Sequence, residues 1–155
     1  MELDLPESFR ARYRLEEQIG TGGMGVVYRA VTLPGGQPVA IKFLERAGEQ
    51  VIARFLREAR ALAAISSEDV VKLHELDAVG EHPFLVMELL EGGSLKARLE
   101  KAGRLTVEQA LELARRIASA LSACHAAGIV HRDLKPENVM FDAAGRPKLV
   151  DLGVA

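Results

Sequence analysis

The stretch H-R-D-L-K-P-E-N at residues 131–138 packs acids, bases and an amide into one short segment that is too polar for a core. It follows directly on an apolar run and the pair I-V. Asp133 can accept a proton from a hydroxyl. Lys135, two residues on, offers a fixed positive charge to a transferring phosphoryl group. Asn138 offers a neutral oxygen suited to Mg²⁺, which takes few protein ligands and keeps water and phosphate oxygens. Pro136 stiffens the loop. Further on, K-L-V-D-L-G-V-A delivers Asp151 at the end of an apolar strand, where a carboxylate can hold a metal ion, and Gly153 permits a bend after it.

Three earlier features could serve the same chemistry. Gly20, Gly22 and Gly25 form G-x-G-x-x-G, a pattern that also marks dinucleotide-binding folds. There the third glycine opens a helix. Here V-V-Y-R-A-V-T continues in β-branched residues, which puts the glycines at a hairpin tip whose amide groups can cover a polyphosphate. An ordinary glycine-rich turn has the same composition. Lys42 ends the apolar strand V-A-I-K and is costly to bury without an anion; alternatively it is a surface lysine whose stem covers apolar area. Glu58, in F-L-R-E-A-R-A-L, is the best carboxylate partner, although Arg54 four residues before it also fits a solvated helix face.

The elements that must position these groups follow from periodicity. Residues 13–20 and 26–32 predict a hairpin, L-P-G-G-Q-P a second turn, and V-A-I-K-F-L a strand buried on both faces. Val51, Ile52, Phe55, Leu56, Ala59, Leu62 and Ala63 recur at helical spacing over residues 49–64. V-V-K-L-H-E-L and P-F-L-V-M-E-L return to strand character. Ser94 predicts the cap of a short helix ending near Gly103. Thr106 and Gln109 predict a capping box opening the longest helix, which carries Ala110, Leu111, Ala114, Ile117, Ala118 and Leu121 inward and stops at Gly128. N-V-M-F, the turn D-A-A-G-R and P-K-L-V-D close the chain.

The bulk numbers narrow the partners. With 48% hydrophobic and 27% charged residues the 155-residue chain is globular. Its net charge of −2 carries no basic stripe for nucleic acid. The small cluster Arg10, Arg12, Arg14 fits a solvated strand face. The single cysteine, Cys124, lies in an apolar stretch, which excludes an internal disulfide and suits a reducing compartment. The first residues are acidic and lack a secretory pattern, and no apolar run is long enough to span a membrane. A cytoplasmic location is expected, although a parent protein could be anchored downstream.

In order along the chain, G-T-G-G-M-G-V-V, V-A-I-K, H-R-D-L-K-P-E-N and D-L-G resemble the eukaryotic-type (Hanks-type) serine/threonine protein kinases, from about Tyr13 to the end. The short loops and G-T-G-G-M-G-V-V-Y-R-A are similar to bacterial members. The resemblance implies an α+β, protein-kinase-like fold with a five-stranded antiparallel sheet lobe carrying one helix and an incomplete, mainly helical second lobe. It implies an N-terminal extension over 1–12, an ATP-binding lobe over 13–90 and a partial C-lobe over 91–155. It implies ATP and Mg²⁺ as cofactors and a serine or threonine hydroxyl of a protein substrate as acceptor.

Residue by residue, the resemblance has Gly20, Thr21, Gly22, Gly23, Met24 and Gly25 cover the ATP phosphates. Lys42 grips the α- and β-phosphates and pairs with Glu58. Asp133 orients or deprotonates the acceptor, Lys135 steadies the γ-phosphate, and Asn138 and Asp151 hold Mg²⁺. Ile19, Val27, Ala40 and Met140 sandwich the adenine with Met87 behind it, and backbone groups at Glu88 and Leu90 read its edge. Leu62, Leu73, His131 and Leu152 resemble a stacked apolar column, which makes His131 a core histidine rather than a base. Arg132 resembles the arginine of members regulated through a phosphorylated activation loop.

Two departures stand out. D-L-G replaces the usual D-F-G, a mild change at a packing position. No activation loop, A-P-E or later helix follows Ala155, so the resemblance implies the front part of a larger kinase. The isolated chain is then expected to bind nucleotide, to phosphorylate peptides poorly, and to self-associate or lose stability through the uncovered long helix. A pseudokinase-like nucleotide- or partner-binding module is the alternative reading; a dinucleotide-dependent oxidoreductase rests on the glycines alone.

Overall fold

Strong β-formers without interruption force a fully buried strand, and the residues that follow Pro38 behave so. The computed structural model describes residues 5–22, 25–44, 48–80 and 82–151. Within it the chain divides into two compact units, Met1–Phe55 with Leu73–Leu89, and Leu56–Lys72 with Leu90–Ala155.

The first unit is built on five strands: β1 (Tyr13–Gly22), β2 (Gly25–Thr32), β3 (Pro38–Leu44), β4 (Leu73–Val79) and β5 (His82–Glu88). They form one antiparallel sheet in the order β1-β2-β3-β5-β4. On β3 every residue from Val39 to Leu44 is buried, as the run V-A-I-K-F-L predicts. Val39, Ile41 and Phe43 face a cluster that includes Phe84 and Val86 of β5. Strand alternation therefore turns Ala40, Lys42 and Leu44 to the opposite face.

Ahead of the sheet, Pro6 precedes a one-turn helix, α1 (Glu7–Arg10). It places Phe9, from the stretch expected to be an extension, inside the aromatic cluster. Arg12, expected on a solvated strand face, is exposed as expected, but it lies in the turn ahead of β1 and is ion-paired with Glu75 and Asp77.

Helix α2 (Glu49–Ala64) matches the predicted bounds. Phe55, Ala59 and Leu62 are buried at helical spacing, and Glu58 is buried beside them.

In the second unit, α3 (Leu95–Ala102) starts where Ser94 Oγ accepts the Ala97 N–H at 3.1 Å. Helix α4 (Val107–Ala126) opens with the predicted reciprocal cap. Thr106 Oγ1 accepts the Gln109 N–H at 3.2 Å, and the Thr106 N–H donates to Gln109 Oε1 at 2.9 Å. It stops because Gly128 takes φ 76°, letting the Ile129 N–H reach back to Cys124 O and the Gly128 N–H to His125 O, both at 2.9 Å.

The inward set expected for α4 is met only in part, whereas the uncovered apolar surface expected on this helix is present. Ala120 and Cys124 are its buried residues. Leu111 is 65% exposed, and Ala110, Ala114 and Ala118 are exposed with it. Counting apolar residues at helical spacing finds a stripe but not which part of it meets the rest of the unit; here the C-terminal half does.

A two-stranded sheet of β6 (Val139–Phe141) and β7 (Pro147–Leu149) completes this unit. Val70 bridges to Leu149 in parallel, with the Leu149 N–H on Asp69 O and the Val71 N–H on Leu149 O.

Candidate active site

The second unit gathers its predicted chemical residues into one knot between α4 and β7. His131 is 2% exposed. Its Nδ1 accepts the Asp133 N–H at 3.2 Å, so Nε2 carries the ring proton and donates to Val150 O at 3.1 Å. One buried ring thus ties the start of the loop to the residue before Asp151. A second tie runs from the Val150 N–H to Asn138 O at 2.9 Å.

Asn138 sits in a 3₁₀ turn, Pro136–Asn138, and is buried. Its amide NH₂ donates to Asp133 O at 2.8 Å and to Asp133 Oδ2 at 3.0 Å. That orientation leaves Oδ1 as the side chain's acceptor. Lys135 Nζ lies 2.9 Å from Asp133 Oδ2. The lysine, followed by Asn138, holds the Asp133 carboxyl below its usual range, and Asp133 in turn raises Lys135 with smaller help from Glu137 and Asp151. Asp133 is therefore ionised near neutral pH and ready to accept a hydrogen bond from a hydroxyl.

Two residues here hold strained backbone. Arg132 has φ 62° and Asp151 φ 49°, the only non-glycine residues with positive φ among those described. Such conformations cost of order 1 kcal/mol or more and persist where surrounding bonds over-determine them. The His131, Asn138 and Val150 bonds flank both positions.

The donor set fits a magnesium ion: one amide oxygen on Asn138 and one carboxylate on Asp151, both hard oxygens, with Asp151 close enough for its charge to act on Lys135. Among the described residues no group of three histidines, cysteines or acids is arranged to hold a metal.

The first unit brings together a separate set. Gly20 lies opposite Val27, and Val27 opposite Lys42, across β1, β2 and β3. Ala40 lies opposite Met87 on β5. Directly opposed residues share a sheet face, so Val27, Ala40, Lys42 and Met87 stand on the face turned away from the aromatic cluster. Lys42 is 7% exposed, which removes the surface-lysine reading; in the second unit, Glu58 is 2% exposed, which removes its solvated-face reading. Buried charges of this kind demand compensation.

Thr21 and Gly22 end β1, and Gly25 begins β2; Gly23 and Met24 lie outside the described residues. Ile19 is on β1 and half exposed, Glu88 ends β5, Leu90 is buried two residues beyond, and Met140 is on β6.

Gly25 has a structural task of its own. A Cβ there would sit 1.9 Å from Phe43 O on the neighbouring strand, whereas one at Gly20 would meet Val27 Cβ at 3.8 Å and Val27 Cγ2 at 4.0 Å.

Several contributors carry no motif. Gly92 lies so close to β6 that an added Cβ would meet Asp142 O at 2.6 Å. Lys96 reaches Glu137 at 3.2 Å, and the Arg98 guanidinium stacks 3.4 Å from the Phe141 ring centroid. Arg116 on α4 donates to Asp69 at 3.0 Å. Only the E-G-G-S turn signal before α3 could have pointed to Gly92.

A sheet unit with a buried lysine, and a loop that pairs an aspartate with a lysine and an asparagine ahead of a second aspartate, define a protein kinase domain. The protein kinase domain family matches residues 13–155, and the chain belongs to it. The chain is 40% identical over 147 residues to the serine/threonine-protein kinase PknL of Mycobacterium tuberculosis, covering 93% of this chain and 37% of that protein. It is 38% identical over 152 residues to PknA of the same species, covering 93% and 35%. The chain thus spans little more than a third of the length of these relatives.

Proposed function

We propose that this chain supplies the ATP-binding and catalytic residues of a serine/threonine protein kinase that transfers phosphate to hydroxyls of protein substrates. The observation that carries the reading is the loop in which Asp133 is held by Lys135 and Asn138 while His131 fixes it to the strand end before Asp151. ATP with Mg²⁺ supplies the phosphoryl group and neutralises its charge. Asp133 aligns the acceptor hydroxyl, and Lys135 steadies the moving phosphoryl oxygens. Asn138 and Asp151 hold the metal. Lys42 grips the phosphates, with Glu58 as its carboxylate partner in that role, and the glycine turn from Gly20 to Gly25 covers them. Ile19, Val27, Ala40, Met87 and Met140 take the adenine, with the backbone at Glu88 and Leu90 reading its edge. The lone buried Cys124 suits a cytoplasmic setting.

The test is nucleotide binding by titration calorimetry. Mg²⁺-dependent ATP binding is expected, lost in Lys42→Met and in Asp151→Asn. Binding indifferent to Mg²⁺, or retained by both variants, would refute the assignment.

A further inference from the structure

Residues 6–12 precede the stretch that the kinase family matches, yet they are built into the first unit. Phe9 is 3% exposed. Its ring centroid lies 5.3 Å from Phe84, 5.6 Å from Phe43 and 5.4 Å from Tyr13. Phe43 and Phe84 are register partners on β3 and β5. Phe9 therefore backs the strand whose opposite face presents Lys42.

Arg12 then crosses the sheet. Its Nη1 donates to Asp77 Oδ2 at 2.7 Å and its Nη2 to Glu75 Oε1, while Tyr13 OH donates to Glu75 Oε2 at 2.6 Å. Tyr13 begins β1 at one edge of the sheet; Glu75 and Asp77 are on β4 at the other. In a flat sheet, four strand spacings of ~4.8 Å would hold those edges roughly 19 Å apart, beyond the joint reach of a tyrosine and a glutamate. The sheet must curl until its edges meet at this end. Phe9 fills the concave side, and Arg12 closes the seam.

We infer that residues 6–13 form a strap, with Phe9 and Arg12 as positioning residues for Lys42. The inference rests on the phosphate-gripping role proposed for Lys42. Curvature sets the direction in which the outer face of β3 projects. Phe43, adjacent to Lys42 in the chain, is held against Phe9, and β3 is paired on both sides at these residues, so loosening the strap relaxes the curl of the sheet and carries Lys42 with it. The Arg12 bridge is partly exposed and contributes little to global stability, so position and stability can be separated.

The experiment uses the 155-residue chain and its Arg12→Gln and Phe9→Leu variants, well below their melting midpoints. Affinities for Mg·ATP and for adenosine are measured, with the Lys42 ε-methylene resonance followed by NMR. Both variants are expected to stay folded, to move that resonance, and to weaken Mg·ATP by roughly 5- to 150-fold, the span of ordinary coupling between sites. Adenosine has no phosphate for Lys42 to grip, and its affinity is expected to hold. Wild-type Mg·ATP affinity with only a lowered melting midpoint would overturn the strap, as would equal losses for both ligands. If the unaltered chain takes up no Mg·ATP, the proposed function fails instead. The resonance then decides: displaced in both variants, the strap stands; unmoved, it falls.

Discussion

Replacing Gly25 with alanine separates a glycine needed for space from one available for ligand approach. The new Cβ would lie 1.9 Å from Phe43 O and 2.9 Å from Phe43 C, both backbone atoms that cannot rotate away. The β2–β3 ladder must therefore open at the register pair Gly25–Leu44 and its neighbour Val26–Phe43. Forced overpacking of this kind costs ~1–3 kcal/mol. One or two lost ladder hydrogen bonds add about 1 kcal/mol each. A total near 3 kcal/mol, divided by a urea dependence of ~1–3 kcal/mol/M, lowers the unfolding midpoint by about 1–3 M. Gly20→Ala is the control. Its Cβ meets an ordinary contact at 3.8 Å, and the stiffer unfolded chain offsets any cost by ~0.4–1 kcal/mol. The assay is equilibrium urea unfolding followed by far-UV circular dichroism. A Gly25→Ala midpoint equal to wild type, or a Gly20→Ala loss as large as that of Gly25→Ala, would refute the steric argument.

Asp69 is held below the usual carboxylate range: burial works to raise it, but hydrogen bonds from Ser119 and Arg116 and the charge of Arg116 outweigh that. Its lowered folded pKa means its stabilising contribution is full above the unfolded value of ~3.9 and is lost as pH falls through the folded one. Asp69→Asn should therefore be less stable at neutral pH and shallower in its acid unfolding below about pH 4, read by circular dichroism; an unchanged acid slope would contradict this. Cys124 is fully buried and its thiol is pushed up by that burial, so a disulfide-exchange reagent at pH 8 should react only after urea unfolding, and fast reaction with the native chain would place α4 wrongly.

Much of the fold was legible because its signals are local. The cap at Thr106 and Gln109 and the stop at Gly128 are hydrogen bonds among residues a few positions apart, and they formed as the sequence predicts. The buried strand Val39–Leu44 is a compositional statement about one short segment. The 131–138 loop was legible for the same reason: Asp133 bonds both Lys135 and Asn138 within a short stretch of chain. Less was legible where the partner lies far away. Glu58 reads equally well as solvated or buried until its helix is packed. Phe9 sits in the short polar stretch E-S-F-R, and the Leu5, Phe9, Tyr13 spacing is too brief a run to mark it as core.

The order of amino acids alone settled most of the elements, the caps of α3 and α4 and the chemical groups of the loop, since each depends on neighbours within about one helical turn, but it left α1 as part of an extension. Tertiary packing alone decided the rest: which half of α4 is covered, why Gly25 admits no side chain, and that Arg12 reaches Glu75 and Asp77 across the curl of the sheet. Those outcomes depend on distances between segments remote in sequence, and such distances exist only once the sheet has twisted and closed.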